Sequence, residues 1–127
     1  MTKTLLVGCG GFIGSIARYI VGGMVHRFAN GPVFPYGTLV VNVTGCLAIG
    51  ILAALAEARG ILSPGARVFL LIGVLGGFTT FSSFGYETLQ LLRDGEALPA
   101  LANVLLQVVL GLGAVWAGSA LVRLVWG

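Results

Sequence analysis

Four long apolar stretches separated by short polar interruptions organise this chain: residues 4–25, 36–56, 67–92 and 98–122. Each supplies the roughly 20 consecutive, mostly apolar residues that a helix needs to cross a hydrocarbon core, which predicts four membrane-spanning helices. The polar positions inside them are few and fall into register. In the second stretch Thr38, Asn42 and Gly45 recur at i, i+4 and i+7, one helical face that offers a hydroxyl and a carboxamide to the same cleft. In the fourth, Asn103, Gln107 and Gly111 share a face in the same way. Amides in hydrocarbon point inward, either to bond neighbouring helices or to line a route.

The third stretch is the most unusual. Residues 76–84 read Gly-Gly-Phe-Thr-Thr-Phe-Ser-Ser-Phe. An unpaired backbone N–H or C=O in lipid costs several kcal/mol, so glycines and hydroxyls are tolerated there only against protein or a wet cavity. A helix break is expected near Gly76-Gly77. At about 100° per residue beyond it, Phe81, Phe84 and Thr88 fall on one stripe and Thr80, Ser83 and Glu87 on the next. Phenyl rings carry positive edges, so two phenylalanines one turn apart can present ring hydrogens to an anion; ordinary packing against lipid or core is the plainer reading. Glu87 is the lone carboxylate within a span. Three readings of it stay open: neutral, hydrogen-bonded to Thr80 or Ser83, or at the interface.

In the first stretch Gly11, Ser15 and, one turn offset, Gly14 and Arg18 suggest a face of close helix approach. Arg18 sits about 10 Å from the far end of its span at ~1.5 Å per residue, so it either snorkels, pairs with a carbonyl, or draws anions towards an entrance. His26, Arg27 and the Asn30-Gly31-Pro32 turn mark the water boundary, Trp126 reads as an interfacial anchor, and Trp116 as packing. Leu6-Val7-Gly8-Cys9 resembles a lipoprotein cleavage box, but the apolar run before it is too short for a signal peptide. The glycines between Leu5 and Ser15 imitate a dinucleotide fingerprint. The acidic residue expected about 20 positions later is missing, because the first one in the chain is Glu57.

Composition narrows the classes further. The 127 residues are 57% hydrophobic and only 9% charged, against the roughly 25% charge of a soluble domain. A single four-helix transmembrane domain, residues 1–127, accounts for the length, and the short loops leave no room for a soluble enzymatic engine. The net charge of +3 is spread thinly and does not form a nucleic-acid patch. Cys9 and Cys46 lie in apolar segments as small hydrophobes, so neither a disulfide nor a metal cluster is expected. With four spans both termini share a side, which collects Lys3, Arg59, Arg67 and Arg123 against Arg27 and Arg93, with Arg18 nearer the second side. So weak a bias permits insertion in both directions and hence an antiparallel two-fold dimer.

At these residues the chain resembles the Fluc (CrcB) family of small fluoride channels, over nearly its whole length. The likeness rests on Gly11-x-x-Gly14-x-x-x-Arg18-Tyr19, on Gly37-Thr38-Leu39-x-Val41-Asn42, and above all on Gly76-Gly77-x-Thr79-Thr80-Phe81-Ser82-x-Phe84-x-x-Glu87. The resemblance implies an all-α, dual-topology antiparallel homodimer in the plasma membrane, the inner membrane if the cell is Gram-negative. It implies two passive fluoride pores and a structural sodium ion at the dimer centre, held by main-chain carbonyls of Gly76 and Thr79. Phe81 and Phe84 match the pore phenylalanines, Asn42 the pore asparagine, and Thr38, Thr80, Ser83 and Glu87 the polar track. Asn103 and Gln107 fall on pore-facing positions whose residue types vary. Ser83 stands where the family usually has Thr, and Gly85 where Ser is common.

The alternative is a small dual-topology multidrug exporter, which shares the size and pairing. Such exporters need a carboxylate in the first helix, and residues 4–25 contain no Asp or Glu. A membrane scaffold whose polar residues only join helices is a third class. An intramembrane enzyme lacks its parts, with no Ser/His pair, no paired acids and no metal-ligand cluster in the spans.

Overall fold

The computed structural model describes residues 1–29 and 33–126, and over these it is all-helical. Helix α1 spans Thr2–Phe28, α2 Tyr36–Arg59, α3 residues 64–78, α4 Phe81–Arg93 and α5 Ala97–Trp126. α3 and α4 are halves of one interrupted span, so four segments are long and apolar enough to cross a membrane. The expected Asn30-Gly31-Pro32 turn lies outside the described residues.

The helices overrun their expected ends because the flanking residues cap them. α2 continues to Arg59 and stops where Gly60 adopts φ 59°, a left-handed conformation that glycine takes without steric cost. α3 begins at Pro64 rather than 67. The Ser63 hydroxyl accepts from the Ala66 N–H at 3.2 Å, and proline in the first turn forfeits no hydrogen bond. Arg67 reaches back to donate to the Ala56 carbonyl, placing a cation at the C-terminal end of α2. α4 ends with Gly95 at φ 80°, the Glu96 N–H returning to the Leu91 carbonyl at 2.8 Å and the Gly95 N–H to Leu92 at 3.2 Å.

Lipid tails are as apolar as leucine, so helices in a bilayer associate through close packing rather than through a hydrophobic drive. α1 and α3 meet backbone to backbone: Gly10 and Gly14 on one face Gly73 and Gly77 on the other. A Cβ on Gly10 would lie 2.6 Å from the Phe69 carbonyl oxygen, one on Gly77 2.6 Å from that of Gly11, and one on Gly14 would strike the Val74 carbonyl. Of the expected close-approach face, Gly14 is buried and Gly11 meets Gly77, Gly10 joins them, and Ser15 is exposed. α2 and α5 make the most extensive pairing, with Gly50 against the Val115 backbone and a Cβ on Gly118 only 2.5 Å from the Leu47 carbonyl oxygen. Much of the remaining helix surface is apolar and exposed. Trp116, expected to pack, is 74% exposed on α5, a surface that lipid or another copy must cover.

The break in the third span falls at Thr79 and Thr80, not at the glycine pair. Gly76 and Gly77 remain helical, and both threonines are extended, with φ −79°, ψ 156° and φ −150°, ψ 114°. Glycine weakens a helix but does not end one while its N–H still has a partner. Gly77 is kept for its close approach to α1, and the interruption occurs where a side chain offers the backbone something better. Before it, Val68–Val74 widen into a π-helical stretch in which the Leu75 N–H reaches the Leu70 carbonyl, five residues back. Such stretches tend to accompany functional sites.

Candidate polar pathway

The side chain that interrupts the span is Asn42. From α2 its Oδ1 accepts from the Thr80 N–H at 2.8 Å while its Nδ2 donates to the Thr80 carbonyl at 3.0 Å. One carboxamide thereby satisfies both polar groups of an extended peptide unit that a helix would have satisfied internally. Its second amide hydrogen goes to Gln107 Oε1 on α5, at 3.0 Å. Thr80, 7% exposed, caps the start of α4: its hydroxyl accepts from the Ser83 N–H at 3.1 Å and lies 3.1 Å from Ser83 Oγ and 3.2 Å from Ser82 Oγ.

One turn beyond, Glu87 is bonded to neither Thr80 nor Ser83. The Thr38 hydroxyl, from α2, donates to Glu87 Oε1 at 2.6 Å, a short bond of the kind charged or acidic acceptors make. On the neighbouring face the Phe81 and Phe84 rings meet edge to face, with centroids 5.3 Å apart and planes at 68°. Phe81 is 83% exposed in the single chain. Asn103 on α5 is fully buried and donates to Thr88 Oγ1 at 2.9 Å, and Thr88 donates in turn to the Phe84 carbonyl at 2.8 Å. This bracing of the aromatic helix by Thr88 was not visible in the sequence, although its place on the Phe81–Phe84 stripe was the available signal.

Cavities thread these residues. One of about 420 Å³ is walled by His26, Thr38, Glu87, Gln90 and Asp94. A second of about 400 Å³ is walled by Ser15, Arg18, Tyr19, Thr38, Thr80 and Ser83. A third of about 340 Å³ is lined by Asn42, Thr80, Phe81, Phe84 and Gln107, with Gly76 and Thr79 on its wall. Thr38 belongs to the first two and Thr80 to the last two, so the three adjoin in series along the predicted track. Among the described residues, the buried side-chain polar atoms without a partner are Glu87 Oε2, Asn103 Oδ1 and Gln107 Nε2. Each such atom costs about 1–3 kcal/mol if left dry, so these three call for a partner that the single chain does not supply.

Every predicted site residue therefore reaches this region. Asn103 reaches it as a brace behind Phe84, and Asn42 as a clamp on the break with both amide hydrogens engaged. Arg18 is the residue whose place the sequence left most open. It pairs with a carbonyl, donating Nη1 to the Thr79 oxygen at 3.4 Å across 61 positions of sequence. His26 stands exposed at the rim of the first cavity, and no cluster of His, Cys, Asp or Glu suited to a metal ion occurs among the described residues.

Comparison with known proteins gives one consistent answer. Residues 5–119 match the family described as CrcB-like protein, Camphor Resistance (CrcB). The chain is 48% identical over 124 residues to a fluoride-specific ion channel FluC of Methylobacillus flagellatus, covering 98% of this chain and 97% of that protein. It is 49% identical over 123 residues to a protein of the same name from Rhizobium meliloti, with 97% and 98% covered. A Geobacter sulfurreducens relative of that name is 48% identical over 118 residues, with 93% and 94% covered.

Proposed function

This chain belongs to the CrcB-like family, and on that premise we propose that it is a passive fluoride-selective channel of the plasma membrane, releasing fluoride from the cytoplasm. The observation that carries the reading within the molecule is the series of cavities joined at Thr38 and Thr80, with three unpartnered buried atoms on the residues that line or brace it. A scaffold has no use for such atoms. A multidrug exporter lacks its carboxylate, since α1 carries no acidic residue.

Fluoride is small and tightly hydrated, so it crosses only if lost water is replaced by donors that do not trap it. The Gln107 Nε2 amide, the hydroxyls of Thr80 and Ser83, and the ring edges of Phe81 and Phe84 are such donors, and none is a cation. The hydrogen that Asn42 lends to Gln107 can be taken over by an ion while Gln107 turns its own amide to the same ion. Chloride is larger and less strongly hydrated, and gains less from a narrow file of small donors. A negative cell interior drives the anion outward.

The working unit in this proposal is an antiparallel homodimer with two pores, which covers the exposed Phe81 ring and closes the third cavity. A structural sodium ion fits at the break. The Thr80 N–H that would close on the Gly76 carbonyl in a continuous helix goes to Asn42 instead, and the Thr79 carbonyl accepts a long bond. Both residues line one cavity at the C-terminal, partially negative end of a half-helix, and a hard cation takes oxygen ligands. Bound there, sodium would supply positive charge and lock the break. Fluoride efflux from reconstituted vesicles tests the reading: Phe81→Ile and Phe84→Ile should each cut the rate at least about tenfold with the dimer intact, following the loss of aryl donors. Unchanged rates in both would remove the aromatic pathway.

A further inference from the structure

The Arg18 guanidinium is a cation placed within a span, and its polar contact is a main-chain oxygen rather than a carboxylate. Glu87, the carboxylate of the neighbouring track, makes no contact with it and takes its one hydrogen bond from Thr38. The oxygen Arg18 takes is that of Thr79, one of the two carbonyls assigned above to sodium. We propose that Arg18 is a tethered substitute for that ion: it competes with sodium for the Thr79 carbonyl, weakens sodium binding, and keeps the break satisfied when the site is empty. This inference rests on the sodium reading.

The geometry supports both halves. At 3.4 Å the Nη1–oxygen contact is long enough to yield to a better partner, yet the stem is anchored by helix α1 and the guanidinium has few other places to go inside the membrane. The Thr79 oxygen cannot join any helical ladder, because Thr79 and the capping residue Thr80 are extended. Without a donor or an ion it would be an orphan in a low-dielectric setting. A guanidinium and a sodium ion sharing one carbonyl would be separated by only a few ångströms, and like charges that close oppose each other's binding. Arg18 also faces the second cavity, beside Ser15, Thr80 and Ser83.

The test uses the purified full-length protein, exchanged into choline chloride and titrated with radiolabelled sodium, with melting temperatures taken in choline and in sodium. Arg18→Gln removes the competitor, so it should bind sodium at least about tenfold more tightly than the unmodified chain. Its melting temperature should depend on sodium more steeply, being lower in choline and recovering when sodium is added. Arg18→Lys keeps the charge on a shorter stem without the planar fork, and should bind about threefold more tightly. It decides the matter should the Gln variant assemble only in sodium, itself an expected result. Equal affinity and equal sodium dependence in all three proteins would overturn this inference while sparing the sodium site. Absence of sodium binding in all three would overturn both.

Discussion

Asn42→Leu is the most informative single change, because it removes the side chain that holds the break open while leaving a residue of similar bulk. Three groups lose their partner: the Thr80 N–H, the Thr80 carbonyl and Gln107 Oε1. Membrane double-mutant cycles give interhelical side-chain bonds only about 0.6 kcal/mol on average, and the Gln107 contact belongs to that class. The two backbone groups are different. Thr80 is nearly buried, and each orphaned buried group costs about 1–3 kcal/mol, so the total is about 3–6 kcal/mol if the extended peptide persists. At roughly 3–5 °C per kcal/mol for a chain of this size, the melting temperature would fall by on the order of 10–30 °C. A second route relieves that penalty: the Thr80 N–H returns to the Gly76 carbonyl and the third span becomes one continuous helix. The melting temperature then changes little, but Thr80 leaves the junction of the second and third cavities. Both routes end in lost conduction, by at least about tenfold. Fluoride efflux by electrode, with a thermal melt of the same preparation, separates them. Efflux within twofold of the unmodified protein, with an unchanged melting temperature, would refute the clamp.

Other expectations follow from single contacts. Thr38→Val deprives Glu87 of its 2.6 Å bond and leaves both carboxylate oxygens unpartnered on the wall of the first cavity, so efflux should drop several-fold; wild-type efflux would show that the bond plays no part in conduction. Gly14→Ala drives a Cβ into the Val74 carbonyl, whereas Gly8→Ala meets nothing within 4 Å. The first should lose folded protein on size-exclusion chromatography, a backbone clash of at least about 2 kcal/mol, and the second should not. Equal recovery of the two would contradict the glycine seam. Asn42→Asp keeps the acceptor for the Thr80 N–H but sets an oxygen against the Thr80 carbonyl and a negative charge in the anion's way, so its efflux should fall below that of Asn42→Leu; the reverse order would argue that charge on this residue is not felt by the ion.

Periodicity made the four spans and the inward faces legible, because a bilayer allows few alternatives to helices of about that length. It also placed Phe81 beside Phe84 and Thr80 beside Ser83, since those pairs depend only on the local turn. The glycine pair points to a break about three residues early, because low helix propensity is a local signal. What decides its position is Asn42, 38 residues earlier in the chain, which no local pattern around residue 76 reports. Glu87 illustrates the same limit: its nearest hydroxyls in sequence were the natural partners, and Thr38 won through the packing of α2 against α4. Arg18 and Thr79, 61 positions apart, join helix α1 to the break just past α3, a contact that the glycine seam makes possible by bringing the α1 and α3 backbones together.

The most direct test of the account is release of fluoride and of chloride from vesicles reconstituted with the unmodified protein, measured side by side with ion-selective electrodes and valinomycin carrying the compensating potassium. The account predicts that fluoride empties within seconds to minutes while chloride stays inside. Equal loss of both ions, or retention of both by folded protein, would contradict it.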